Sequence, residues 1–286
     1  METRYILTAC CASGVGIVAA ITSCLAKCDC DITSLEQFDD DTGERFFIRA
    51  VFRPLEAAPN IDSVRSEFAD VAAGFGMQWQ IRDQSTPVKT LIMVSKYDHC
   101  LNDLLYRLRK GELNMEVTAV VSNHQDLRSI PEREGIRFVH LPVTPDNKAD
   151  QEAQLLSLVE ETGTELVILA RYMQILSDNL CQQLSGRCIN IHHSFLPGFK
   201  GARPYHQAYE RGVKVIGATA HYVTSDLDEG PIIEQVLTRV DHNYQPEDLA
   251  RVGRDNESQA LARAVKYHME RRVFLDGNKT VVFLGG

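Results

Sequence analysis

No stretch of this 286-residue chain is apolar for long enough to cross a bilayer, and Met1 to Arg4 lead straight into a strand-like run rather than a cleavable leader. The sequence therefore reads as cytoplasmic, with no membrane partner. Aromatics are sparse, at 7% with a single Trp, and 30 basic residues face 39 acidic ones, for a formal net charge of -9. That shortage argues against nucleic acid as a partner, because binding a polyanion leans on clustered Lys and Arg. Internal repeats and low-complexity tracts are also missing. The eight cysteines lack the two ligand pairs of a zinc site: Cys24, Cys28 and Cys30 stand alone, with Cys24 and Cys28 on one apolar helix face. They read as buried, inert thiols of a reducing compartment, and no metal site or cofactor is expected.

What is present suits two ordinary globular domains, at 44% apolar and 24% charged residues. In the first 83 residues, strands at Tyr5–Ala9, Asp31–Phe38, Arg45–Phe52 and Gln78–Arg82 alternate with helices at Ile17–Cys28 and Ile61–Ala73. That order, βαββαβ, is ferredoxin-like. Residues 84–89 are polar, hold Pro87 and have no periodicity, so they read as a linker. From residue 90 to 286 the pattern changes. Strands at Leu91–Val94, Val117–Ser122, Arg137–His140, Leu166–Leu169 and Ile189–His192 are separated by helical stretches, notably Leu101–Arg109 and Ala153–Thr162. Such alternation predicts an α/β, Rossmann-like open sheet, mostly parallel, with its ligand at the strand carboxyl ends. Ile216–Val223 and Ile232–Val240 read as further strands, and Glu257–Phe274 as a closing amphipathic helix.

Chemistry concentrates in two segments. In Asn190-Ile191-His192-His193-Ser194-Phe195-Leu196-Pro197, a buried strand runs into a Pro- and Gly-rich loop. Asn190 and His192 share one face of that strand, while His193 points away unless the backbone turns first. An amide and an imidazole together can polarise a carbonyl. An isolated N-x-H is more often structural, but a second segment, His221-Tyr222-Val223-Thr224-Ser225-Asp226-Leu227-Asp228-Glu229-Gly230-Pro231-Ile232-Ile233, adds carboxylates between two strands.

These segments, with Gly217-Ala218-Thr219 before His221, resemble the folate-dependent formyltransferase superfamily over residues 89 to 286. The resemblance implies a catalytic triad of Asn190, His192 and Asp228, with His221 in support. Asn190 and His192 would stabilise the oxyanion on the formyl carbon, each such donor lowering the barrier by roughly 3 kcal/mol. Asp228 would position the attacking group and handle its proton. It also implies that Arg171, Tyr172, Met173, Gln174, Ile175 and Leu176 bind the pterin, and Arg171, Lys200 and Arg203 are candidates to meet the anionic folate.

The loop Ser95-Lys96-Tyr97-Asp98-His99-Cys100 has no glycine with which to cradle an acceptor's phosphate, and no basic module follows Phe283. Water is the acceptor that remains. His192-His193-Ser194-Phe195-Leu196-Pro197, Phe199-Lys200-Gly201-Ala202-Arg203-Pro204 and Ser122-Asn123-His124 resemble the branch of the superfamily that hydrolyses 10-formyltetrahydrofolate to tetrahydrofolate and formate. That branch implies an amino-terminal ACT domain, a homo-oligomer, formate for purine synthesis and a balanced one-carbon folate pool. An amino-acid effector at the ACT domain is a weaker expectation, because Ser13 stands where such loops carry an acid. Transfer to a small amine and a non-catalytic folate or amino-acid sensor are the alternatives.

Overall fold

The computed structural model describes residues 3–56, 58–198 and 204–285. Two compact units divide the chain: Met1–Thr86 with Glu270–Phe274 and Val281–Gly286, and Pro87–Met269 with Leu275–Thr280. The first contains β1 (Tyr5–Ala12), α1 (Ile17–Lys27), β2 (Cys30–Asp40), β3 (Arg45–Pro54), α2 (Ile61–Phe75) and β4 (Gln78–Asp83), the expected βαββαβ order. Its antiparallel sheet runs β2-β3-β1-β4. Gly16, at φ 89°, starts α1 in a conformation other residues resist, and Asn60 caps α2 by accepting from Ser63 N. Ile21, Leu25, Val64 and Phe68 bury the helices against Leu7, Ile48 and Phe52 of the sheet. Cys24, Cys28 and Cys30 lie in this core as free thiols, burial pushing Cys24 and Cys30 up to about 11.

The second unit continues with β5 (Val88–Val94), α3 (His99–Arg109), β6 (Met115–Ser122), α4 (Ser129–Arg133), β7 (Phe138–His140), α5 (Lys148–Thr162), β8 (Leu166–Leu169), α6 (Asp178–Gln183) and β9 (Cys188–His192). It then adds α7 (Pro204–Glu210), β10 (Val215–Tyr222), β11 (Ile232–Arg239) and α8 (Pro246–Met269). Strand order is β11-β10-β9-β8-β5-β6-β7, parallel from β9 to β7, with β10 and β11 antiparallel at one edge. After β5 the chain builds β6 and β7 on one side, then returns to lay β8 on the other. The loops leaving β5 and β8 therefore open the crevice at the switch point where α/β sheets hold ligands. No described helix is long and apolar enough to cross a membrane.

Three sequence expectations change. The linker set at 84–89 is shorter, because Val88 and Lys89 already pair with β6 as the start of β5. The closing helix begins at Pro246 and ends at Met269, not Glu257–Phe274. Its buried stripe runs through Leu249, Gly253, Asn256, Glu257, Ala260, Leu261 and Ala264, and the polar members hide the first half from hydrophobic periodicity. Arg271, at φ 55°, lies just past its end. Beyond it, β12 (Val273–Asp276) and β13 (Lys279–Val282) pair as a hairpin. The carboxyl-terminal segments also do not all belong to the catalytic domain set at 90–286. Buried Arg49 donates to Glu270 O and to Glu36, which also takes Arg272, and Phe274 packs edge-on against Phe47, so these tail segments complete the first unit.

Candidate active site

β9 ends at His192, and Asn190 and His192 both line one cavity of about 240 Å³. Because β10 runs antiparallel to β9, Asn190 stands directly opposite His221. Asn190 Nδ2 is 3.2 Å from His221 Nε2, and His221 Nδ1 is 2.9 Å from Tyr222 O. A carbonyl can only accept, so Nδ1 donates to Tyr222 O, and this fixes the ring with Nε2 turned toward Asn190 and Asp228. The β10–β11 register shifts between Ala220 and His221, a bulge that re-aims the histidine toward the site.

Asp228 closes the group from the loop between β10 and β11. One carboxylate oxygen lies 3.2 Å from His192 Nδ1, and the other lies 3.8 Å from His221 Nε2. Its backbone is left-handed, at φ 57°, which Asp tolerates better than most residues. Gly230 lets the loop close: a Cβ there would come within 1.7 Å of Tyr222 O, while Tyr222 N donates to Pro231 O. Burial by itself raises the Asp228 carboxyl. Its hydrogen bond with His192, contact with His221 and the two imidazole charges outweigh that and hold it well below the usual carboxylate range. His192 Nε2 is buried and makes no hydrogen bond within the protein. Asp226 and Glu229, by contrast, are exposed.

The opposite wall is the loop after β8. Arg171, Tyr172, Met173, Gln174, Ile175 and Leu176 all line the cavity, and Met173 and Ile175 are exposed at 51% and 62%, apolar faces open to a ligand. Two tethers shape this loop. Ala170 N donates to Met93 O, and Met173 N donates to Ser95 Oγ, which itself donates to Asn123 Oδ1. Buried Thr219 does similar work after β9, donating to Ser194 O and accepting from Leu196 N.

Arg171 is not free to meet an anion as expected. Its residue is 8% exposed, its Nε is 3.2 Å from Glu257 Oε2, and its guanidinium lies 5.1 Å from the Tyr97 ring centroid. Glu257 also accepts from Tyr205 Oη at 2.8 Å and meets His99 Nε2 at 2.8 Å. Among the described residues, His99, Cys100 and Glu257 are the one group whose ligand-type atoms lie within 4.8 Å of one another. The carboxylate is already engaged by a guanidinium, a phenol and an imidazole, so the cluster is an ion-pair knot rather than a vacant cation site. His193 also departs from its expected direction: the backbone leaves the strand at His192 and brings His193 to the same cavity. Burial, then the Arg171 charge and His192, push His193 down to about 4. Lys200 and Arg203 lie outside the described residues.

The formyl transferase family matches residues 88–265, most of the second unit. Over nearly the full chain, a formyltetrahydrofolate deformylase from Corynebacterium sp. (strain P-1) is 55% identical, covering 98% of each chain. The chain belongs to the formyltetrahydrofolate deformylase family. A crystal structure of the deformylase from Burkholderia mallei shares 56% identity and a TM-score of 0.94 over 98% of this chain and 99% of that one. Glycinamide ribonucleotide transformylase 1 from Symbiobacterium toebii, at 30% identity and a TM-score of 0.64, covers 70% of this chain and 96% of its own. The deformylases thus share the whole two-unit chain, and the transformylase only part of it.

Proposed function

We propose that this chain hydrolyses 10-formyltetrahydrofolate to tetrahydrofolate and formate, with water attacking the formyl carbon. The observation that carries the reading is the meeting of Asn190, His192 and Asp228 at one cavity, opposite the loop 171–176. Asn190 and His192 donate to the oxygen on which negative charge develops. Asp228 holds the attacking water, takes its proton as the C–O bond forms, hands it on to the folate nitrogen as the C–N bond breaks, and supports positive charge on His192 throughout. His221 orients Asn190 and Asp228. Met173 and Ile175 supply apolar contact for the folate, and no metal or redox cofactor enters the reaction.

The reading extends to formate supply for purine synthesis, a balanced one-carbon folate pool and a cytoplasmic setting. It also includes a homo-oligomer joined through the first unit. Supporting that, β2 is an 11-residue edge strand with Leu35 and Phe38 exposed. An amino-acid effector is the least supported part. Ser13 stands in place of the usual acid, and its hydroxyl is hydrogen-bonded to Asp39.

Pure protein incubated with 10-formyltetrahydrofolate and no acceptor tests the assignment. Formate and tetrahydrofolate appearing in equal amounts support it. Turnover only on addition of an amine would make the chain a transferase, and tight binding without turnover would make it a sensor.

A further inference from the structure

The knot at Glu257 plays no part in the chemistry described above, yet it ties four distant parts of the catalytic unit together. Glu257 lies on α8 with its side chain 1% exposed. Its partners are His99 at the start of α3, Arg171 after β8 and Tyr205 on α7. Neighbours along the same helix face, Ala260, Leu261 and Ala264, are apolar. Apolar residues in place of both Glu257 and Arg171 would pack there without the cost of desolvating charges, so the packing of α8 does not by itself call for the pair. The carboxylate must serve what it holds.

What it holds is the first residue of the folate-facing loop. Arg171 sits in the sparsely populated left-handed region, at φ 66°, where a non-glycine residue persists only if its surroundings impose it. Its Nε and Nη1 are buried without hydrogen-bond partners, so attraction to Glu257 and the face of Tyr97 keep the guanidinium in place. Glu257 is the one acid paired with Arg171 among the described residues. Two residues on, Met173 N is pinned to Ser95 Oγ. The segment is thus anchored twice, by side chain at 171 and by backbone at 173, and the apolar wall of Met173 and Ile175 follows from both.

We propose that Glu257 is a positioning residue for substrate binding: through Arg171 it sets the 171–176 loop that walls the catalytic cavity. The proposal rests on the deformylase reading. It separates binding from chemistry, because the polar contacts of Asn190, His192, His221 and Asp228 run among themselves. His192 is linked to the knot's Tyr205 through the ring of His193.

A double-variant cycle tests it. Glu257→Gln raises KM for 10-formyltetrahydrofolate about tenfold and leaves kcat within threefold, and Arg171→Gln does the same. The pair together raises KM about tenfold rather than a hundredfold, because the second change removes an anchor already lost. A KM for Glu257→Gln within twofold of wild type overturns the proposal, as does a kcat loss with KM unmoved. Should Glu257→Gln fail to fold with an unpaired Arg171 inside, the double variant buries no lone charge and is compared with Arg171→Gln alone. A further rise in KM on adding Glu257→Gln to that background shows that Glu257 acts by another route and also overturns the proposal. Wild-type protein that turns over no 10-formyltetrahydrofolate would instead refute the deformylase reading, so the two failures are distinguishable.

Discussion

Asp228→Asn is the perturbation that isolates charge from shape at this site. The amide is isosteric with the carboxylate and, like Asp, tolerates the left-handed backbone at φ 57°. Its oxygen can accept from His192 Nδ1, and its nitrogen can take the place of the carboxylate oxygen beside His221 Nε2, so the arrangement of the loop survives. What is lost is a negative charge 3.2 Å from His192 Nδ1, on a side chain only 16% exposed. At an effective dielectric of about 20, attraction at that separation is about 5 kcal/mol for a positively charged imidazole. Allowing for residual solvent contact leaves about 4 kcal/mol, which corresponds to a loss of about 10³-fold in rate. The assay is kcat and KM for 10-formyltetrahydrofolate with formate as readout, alongside a thermal melt. We expect kcat to fall about 10³-fold, KM to stay within threefold and Tm to move by no more than about 4 °C, the range for a change near 1 kcal/mol. Because the Asp228 carboxyl sits well below the usual carboxylate range, the wild-type enzyme should also show no loss of kcat attributable to this group down to pH 5. Turnover of Asp228→Asn within tenfold of wild type would refute the reasoning.

Two further outcomes follow from the same geometry. Gly230→Ala places a carbon 1.7 Å from the Tyr222 carbonyl, a backbone clash that no side-chain rotation relieves, and should lower both stability and turnover. A crystal structure of that variant with the 224–230 loop unmoved would contradict this. His193, pushed down to about 4 by burial, is neutral in the folded protein while its unfolded counterpart takes up a proton below about 6.5. Stability should therefore fall by up to about 3 kcal/mol as pH drops from 6.5 to 4. His193→Gln should flatten that slope in urea melts, and an unchanged slope would remove His193 as the cause.

Most of the architecture was readable along the chain. The βαββαβ order, the switch to alternating strands and helices, and the shared face of Asn190 and His192 follow from periods of 2 and 3.6, which the local backbone imposes whatever lies elsewhere. The order of motifs around Asp228 pointed to the site before its geometry was visible. Reading failed where burial and polarity part company. The first half of α8 buries Asn256 and Glu257, so its inward stripe does not look apolar, and the tail at Arg272 and Phe274 gave no local sign of joining the first unit.

The direction of Arg171 lay wholly outside the reach of linear pattern. The resemblance suggested a cation free to meet the substrate, whereas Glu257 and Tyr97, brought in by α8 and the loop after β5, had already claimed it. The bulge that turns His221, the backbone turn that redirects His193 and the depressed carboxyl of Asp228 are of the same kind. Each depends on which distant groups desolvate, charge or crowd a side chain, and those neighbours exist only once the sheet has brought its loops to one end. Covalent order settles which residues alternate and on which face, but packing between remote segments settles what each side chain is left free to do.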